Sequence, residues 1–325
     1  MSSEQRDPIY GEYEVMEDDK QDAWRRATLF EEPMIRYKKY NQILPKAFLE
    51  ISEKIRHFET REDDVWIASQ IKSGSTWMGE LTWCLLNNLD YETAHKENLD
   101  VRMTYLEINS VILKCQKSLI PTDVIGIADG NKSPRLIKTH LSFDMLPQKI
   151  LQNKNKMIYM LRNPRDVCIS MYNHHRIFDN YQGTLEEHLD QFLSGNCGYY
   201  TPHDVNIIGY HLKRDLPHIL FITYEEMKKD LGTVIDKVVN FLGLPLLDKD
   251  AKSGLIEHLS IEKMKENPSV NRGLASKMYV SDGQFINKGK IGTWKTSFSP
   301  EMIQRFEDWE KEKFETVGLK FTYEL

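Results

Sequence analysis

Lys72-Ser73-Gly74-Ser75-Thr76-Trp77 has the residue types of an anion cradle. Ser73, Ser75 and Thr76 offer hydroxyl donors. Gly74 lets the backbone approach a ligand closely. An apolar run, Val65–Gln70, precedes the loop and reads as a buried strand, and Trp77–Leu86 follows with the apolar spacing of a helix. Strand, small-residue loop and helix start aim backbone N–H groups and the helix's positive end at one phosphate. The nucleotide-triphosphate loop reads G-x-x-x-x-G-K-[ST], with its lysine after the glycine. Here the lysine precedes the only glycine, which points to another phosphate ligand and another task for the lysine.

Three further segments carry chemistry. In Arg162-Asn163-Pro164-Arg165, followed by Ser170, an arginine ends an apolar run and a proline suits the first turn of a helix. Ser170 lies two turns on, so guanidinium and hydroxyl can serve a second phosphate. In Lys138-Thr139-His140, histidine is the side chain suited to act as a base near neutral pH, and on an extended segment Lys138 points to the same side. Lys288-Gly289-Lys290-Ile291-Gly292-Thr293-Trp294-Lys295 has glycines for tight turns and lysines that can close over an anion.

Four strand-like runs must position these groups: Val65–Gln70, Arg135–Thr139, Met157–Leu161 and His218–Thr223. Helical patterns separate them, which predicts an α/β fold: a single domain with a central parallel sheet flanked by helices and a P-loop-like phosphate-binding loop. Ligands of such sheets bind beyond the carboxyl ends of the strands, where all these segments would converge. The region Leu231–Asn267 reads as helical and Ser281–Ser299 as a loop. Residues 1–30 read as an acidic tail or an arm lying on the body, and 31–325 as the domain.

With 325 residues and 40% hydrophobic content the chain can bury a sizeable core. A net charge of −6 argues against nucleic acid as a partner. The absence of an apolar run of about 18 residues argues against a membrane span, and the polar N-terminus against a secretory signal. Cys84, Cys115, Cys168 and Cys197 form no C-x-x-C pair and read as buried, reduced thiols, so a cytoplasmic location is expected and no metal site.

Together the four segments resemble the cytosolic sulfotransferase family, in the family's order and at similar separations, over roughly Pro33 to Phe321. The resemblance implies in-line transfer of a sulfuryl group from 3′-phosphoadenylyl sulfate (PAPS; product PAP) to a hydroxyl or amine of a small apolar acceptor. It implies that Ser73, Gly74, Ser75 and Thr76 hold the 5′-phosphate behind Lys72, that Trp77 stacks on adenine, and that Tyr224 bonds the adenine edge. Arg162 and Ser170 would grip the 3′-phosphate, helped by Lys288 and Gly289, with Ser260 also kept. His140 would be the general base, Lys72 would stabilise the bridging oxygen, and Lys138 would neutralise the transferring oxygens. The acceptor wall would comprise Phe48, Tyr105, Ile108, His174 and Tyr181, beside Lys138 and His140.

Departures from the family pattern are specific. Asn287 stands where an arginine is usual, Ile261 where an aromatic residue often covers adenine, and Leu259 where threonine is usual. Ile108 and His174 replace phenylalanines of many relatives, so the acceptor (phenol, alcohol, steroid or retinoid type) does not carry over. Ser299-Pro300 occupies the Thr-Val position of the family's dimer element, so that element is poorly kept and a dimer stays open. A sulfotransferase-like dehydratase acting on an allylic alcohol such as a retinoid shares every motif, and a catalytically silent PAPS-binding protein would not require His140. A triphosphate enzyme would require a lysine after the glycine and an acid for magnesium.

Overall fold

A computed structural model of the chain describes residues 5–16, 23–271, 280 and 289–325. In chain order the strands are β1 (Gln5–Asp7), β2 (Gly11–Val15), β3 (Met34–Tyr37), β4 (Gln42–Pro45), β5 (Val65–Ser69), β6 (Thr104–Tyr105), β7 (Leu136–Thr139), β8 (Lys156–Leu161) and β9 (Ile219–Thr223). The last five form a parallel sheet in the order β6-β7-β5-β8-β9. All four expected runs are therefore strands of one sheet. The edge strand β6, only two residues long, left no apolar run to read.

The period of two along each strand splits the core into two layers. Val65 and Ile67 of β5, Leu136 of β7, and Ile158 and Met160 of β8 face one layer. Trp66 and Ala68, Ile137, and Met157, Tyr159 and Leu161 face the other. Helices α1 (Ser75–Leu86) and α3 (Leu231–Leu242) cover the first face through Met78, Leu81, Val234, Ile235, Val238 and Val239. Helices α2 (Pro164–Phe178) and α4 (Pro300–Phe314) join the second through Val167, Met171, Phe306 and Trp309. Continuous apolar strands are what a sheet covered on both faces requires.

The acidic N-terminal segment is paired. Its residues from Gln5 to Val15 form the hairpin β1–β2, and β2 pairs antiparallel with β3 in a second, four-stranded sheet. In β2 the exposed Glu12 and Glu14 alternate with half-buried Tyr13 and Val15, so acidic composition masks a strand pattern. The Tyr10 hydroxyl donates to the Met145 carbonyl (2.8 Å), and that of Tyr37 to Asp7 Oδ2 (2.5 Å).

The helical reading of Leu231–Asn267 resolves into α3 and the helices Lys249–His258 and Ile261–Glu266. Gly243, at φ 72°, breaks the first from the second. Within the expected loop Ser281–Ser299, residues 281–288 lie outside the described residues, and Trp294–Ser297 is a helical turn. Ser299 and Pro300 start α4: the serine side chain accepts from the Met302 N–H. Cys84, Cys168 and Cys197 are buried as expected. Cys115 is exposed, because it sits on a surface turn, Lys114–Leu119.

Candidate active site at the sheet's carboxyl edge

The loop after β5 turns through Lys72 (φ 66°) and Gly74 (φ 106°) into α1. At Gly74 a Cβ would stand 2.9 Å from Tyr224 Cδ2 and 3.4 Å from Met160 Cε. Only glycine fits a left-handed turn pressed against two side chains, and the turn aims the first N–H groups of α1 into a cavity. That cavity, about 390 Å³, is lined by Lys72, Gly74, Ser75, Thr76 and Trp77, by Lys138 and His140, by Arg162 and Ser170, and by Tyr224 and Gly289. Segments far apart in the chain thus meet on one rim. Ser73 is not on that lining; it is buried, and its N–H bonds the Gln70 carbonyl (3.3 Å).

His140 follows β7 and is held from two sides. Its Nδ1 lies 2.7 Å from the Ser69 carbonyl and 3.2 Å from the Ser69 hydroxyl. A carbonyl only accepts, so Nδ1 carries the proton and Nε2 the lone pair. Glu107 Oε1 accepts the His140 backbone N–H (2.5 Å) and the Thr139 hydroxyl (3.0 Å). Burial pushes the Glu107 carboxyl up to about 7 against these donors. No sequence pattern points to Ser69 or Glu107: nothing in a lone serine or glutamate marks it as the support of a histidine 71 or 33 positions away. The Tyr105 ring stands 5.3 Å from that of His140, and the Lys138 ammonium lies 4.5 Å from the Tyr105 ring centre.

Arg162 directly follows β8, and Asn163 caps α2 with Pro164 in its first turn. The guanidinium donates to the Lys72 carbonyl (3.2 Å) and the Lys290 carbonyl (3.5 Å), and stacks 4.2 Å from the Tyr224 ring centre. It therefore ties the cradle to the C-terminal glycine loop. Asp166 holds that loop too, accepting from Gly292 N–H (2.8 Å) and the Thr293 hydroxyl (2.7 Å). Trp77 Nε1 donates to the Leu259 carbonyl (2.9 Å), and Trp77 and Ile261 both line the cavity. The Ser260 hydroxyl instead caps the helix Ile261–Glu266, accepting from the Lys263 N–H (3.3 Å). Asn287 and Lys288 lie outside the described residues.

Of the expected acceptor wall, Tyr105, Ile108 and His174 line the cavity, joined by Val111, Ile112, Ile177, Phe178, Asp179 and Tyr199. Phe48 does not: it is fully buried in the layer behind, packed 5.7 Å from Tyr10 and 6.1 Å from Tyr37. Tyr181 is also set back, its hydroxyl bonded to Gln191 Oε1 (3.2 Å).

Among the described residues two clusters could offer three metal-ligand atoms within 4.8 Å of one another, His175 with His188 and Cys197, and Glu80 with Cys84 and His258. Neither lines the cavity, and both are already engaged. Trp24 Nε1 donates to His175 Nδ1 (3.0 Å), while Arg102 and His258 pair with Glu80 (2.8 and 2.7 Å).

His203 is buried against Phe192, and burial pushes its imidazole down to about 3 from an ordinary 6.5. The unfolded chain therefore binds this proton first. The stability from a neutral His203 is complete above pH 6.5 and lost as pH falls toward 3. At pH 4.5 the loss amounts to about 3 kcal/mol. Urea unfolding of His203→Gln should show that, relative to wild type, the variant is favoured by that amount more at pH 4.5 than at pH 7.5. A gap independent of pH would contradict the assignment.

The sulfotransferase domain family matches residues 62–318 of this chain. Luciferin sulfotransferase of Photinus pyralis is 36% identical over 282 residues, 81% of this chain and 75% of that protein. Sulfotransferase 1B1 of Canis lupus familiaris is 34% identical, over 84% of this chain and 90% of its own. Among solved structures, retinol dehydratase in a complex with retinol and PAP is similar at a TM-score of 0.85 and 27% identity, covering 95% of this chain and 99% of that one.

Proposed function

The chain belongs to the sulfotransferase family, and on that premise we propose how its cavity divides the work. The protein is a PAPS-dependent enzyme that transfers a sulfuryl group to a small-molecule acceptor. The cradle suits the nucleotide, since at Gly74 even a methyl group would collide with Tyr224, so backbone N–H groups reach the 5′-phosphate directly. Ser75 and Thr76 add hydroxyls there. Trp77 offers an aromatic face for adenine, and Arg162 with Ser170 meets the 3′-phosphate.

When bound, PAPS supplies the sulfuryl group. His140 Nε2 takes the acceptor's hydroxyl proton, and the Ser69 carbonyl stabilises the imidazolium through the Nδ1–H. Lys138 offsets negative charge on the group in transfer, and Lys72 offsets charge on the departing phosphate oxygen. Positioning and electrostatic stabilisation of this kind are the main contributions a protein makes to such a transfer. The observation that carries the reading is the imidazole held as a base by Ser69 in the same cavity as Lys72, Lys138 and Arg162.

The acceptor is a phenol or alcohol of mainly apolar character, since the wall beyond His140 is made largely of isoleucine, valine and aromatic side chains. The likeness to retinol dehydratase favours one further outcome, in which a sulfated allylic alcohol eliminates to an alkene. Incubation with sulfur-labelled PAPS and a panel of phenols and alcohols, with mass analysis, tests both. A sulfate ester supports transfer; loss of water from allylic members alone supports dehydration; PAPS binding with no product from any member would refute an enzyme. No helix among the described residues is long and apolar enough to cross a membrane. The protein is proposed to act in the cytoplasm.

A further inference from the structure

Resting on the acceptor pocket assigned above, we propose that this enzyme selects acceptors carrying a hydrogen-bond donor at the end remote from the reacting hydroxyl, and that Asp179 receives it. Asp179 follows the last turn of α2 and lines the cavity although it is only 2% exposed. Beside it Ile112, Ile177 and Phe178 form a small buried apolar cluster. The backbone places it at a helix C-terminus, where the dipole disfavours negative charge. Among the described residues Tyr199 alone hydrogen-bonds the carboxyl, from its hydroxyl to Oδ2 (3.2 Å). Among the described residues no lysine or arginine offsets its charge, and burial pushes it up to about 8. A buried carboxyl in such a place is costly unless something pairs with it, and perturbed carboxyls in clefts concentrate at functional sites.

Two neighbours make this a built site. The Tyr199 hydroxyl also lies 3.4 Å from His174 Nε2. Tyr199 has one proton, and giving it to Asp179 leaves its oxygen as acceptor toward His174. His174 is the position where many relatives carry phenylalanine, so the polar end belongs to this chain's departures from the family pattern. The site is set apart from the base by two aromatic rings: Tyr199 packs 5.6 Å from Tyr200, and Tyr200 5.5 Å from His140. One acceptor can therefore present a hydroxyl to His140 and its opposite end to Asp179. An ammonium or a second hydroxyl gives the carboxyl a further donor; a methyl group leaves it with the Tyr199 hydroxyl alone.

The test uses three phenols of equal length: 4-propylphenol, 4-(2-hydroxyethyl)phenol and 4-(2-aminoethyl)phenol. Both kcat/KM with PAPS and dissociation constants on PAP-loaded protein are measured. In wild type the two donor-ended phenols should exceed the propyl compound by about tenfold or more. In Asp179→Ala the preference should shrink to within about threefold. Asp179→Asn separates the sources, since the amide can still accept from a hydroxyl but no longer offers charge to an ammonium. Tyr199→Phe, which removes the carboxyl's partner and leaves the carboxyl in place, gives a second reading if Asp179→Ala does not fold. Equal handling of all three phenols by wild type, a preference that survives Asp179→Ala, or failure of all three to bind would overturn the inference. Failure of the enzyme reading looks different: no phenol or alcohol of any kind would yield product.

Discussion

His140→Ala is expected to lower kcat for sulfuryl transfer by about 10²–10⁴-fold, the range that a positioned general base contributes. PAP affinity should stay within about threefold of wild type, a change below 1 kcal/mol. The split follows from where the imidazole is anchored. Its ring contacts run to Ser69, Tyr105 and Tyr200, and Arg162, the cradle and Trp77 keep their own partners without it. Steady-state kinetics and calorimetry with PAP measure the two quantities separately. Turnover near wild type would remove the base role, and a collapse of PAP affinity would show that the histidine serves the nucleotide instead.

Arg162→Ala should do the reverse. The guanidinium is proposed to hold the 3′-phosphate while bonding the Lys72 and Lys290 carbonyls and covering Tyr224. A lost hydrogen bond to a charged group costs about 1.5–3 kcal/mol, so PAP should bind about 10- to 150-fold more weakly. Arg162→Lys should restore little, because an ammonium cannot form two bonds in a fixed fork or stack on a ring. Calorimetric titration with PAP checks this, with melting temperature as control for the tie between the loops. A Kd changed less than about threefold in Arg162→Ala would contradict the assignment.

Much of the fold could be read locally. Residues 65–68 and 157–161 are hydrophobic at every position because both faces of their sheet are covered. Asn163-Pro164 announces a helix start by itself, a cap followed by a ring with φ already set. The N-terminal hairpin was obscured because exposed glutamates in β2 dominate its composition, whereas pairing with β3 decides its conformation. Phe48 and Tyr181 look like pocket aromatics in the sequence, yet packing against Tyr10 and Tyr37, and a bond to Gln191, turn them elsewhere. Side-chain direction there is set by neighbours 10 or more positions away, which spacing does not encode.

The sequence by itself determined which chemistry is available: a lysine-led hydroxyl loop, an arginine at a strand end, and a histidine after a buried strand, each carried by a short segment whose structure follows from its own residues. Only the tertiary structure decided what those groups do to one another. Parallel strands bring Ser69 and His140 within 2.7 Å across 71 positions and so set which nitrogen bears the proton. The packing of Tyr199 against the end of α2 brings its hydroxyl to the Asp179 carboxyl, both residues lining the cavity. A proton's position and a charge's cost depend on distance and burial, and those arise from contacts between segments that no local pattern contains.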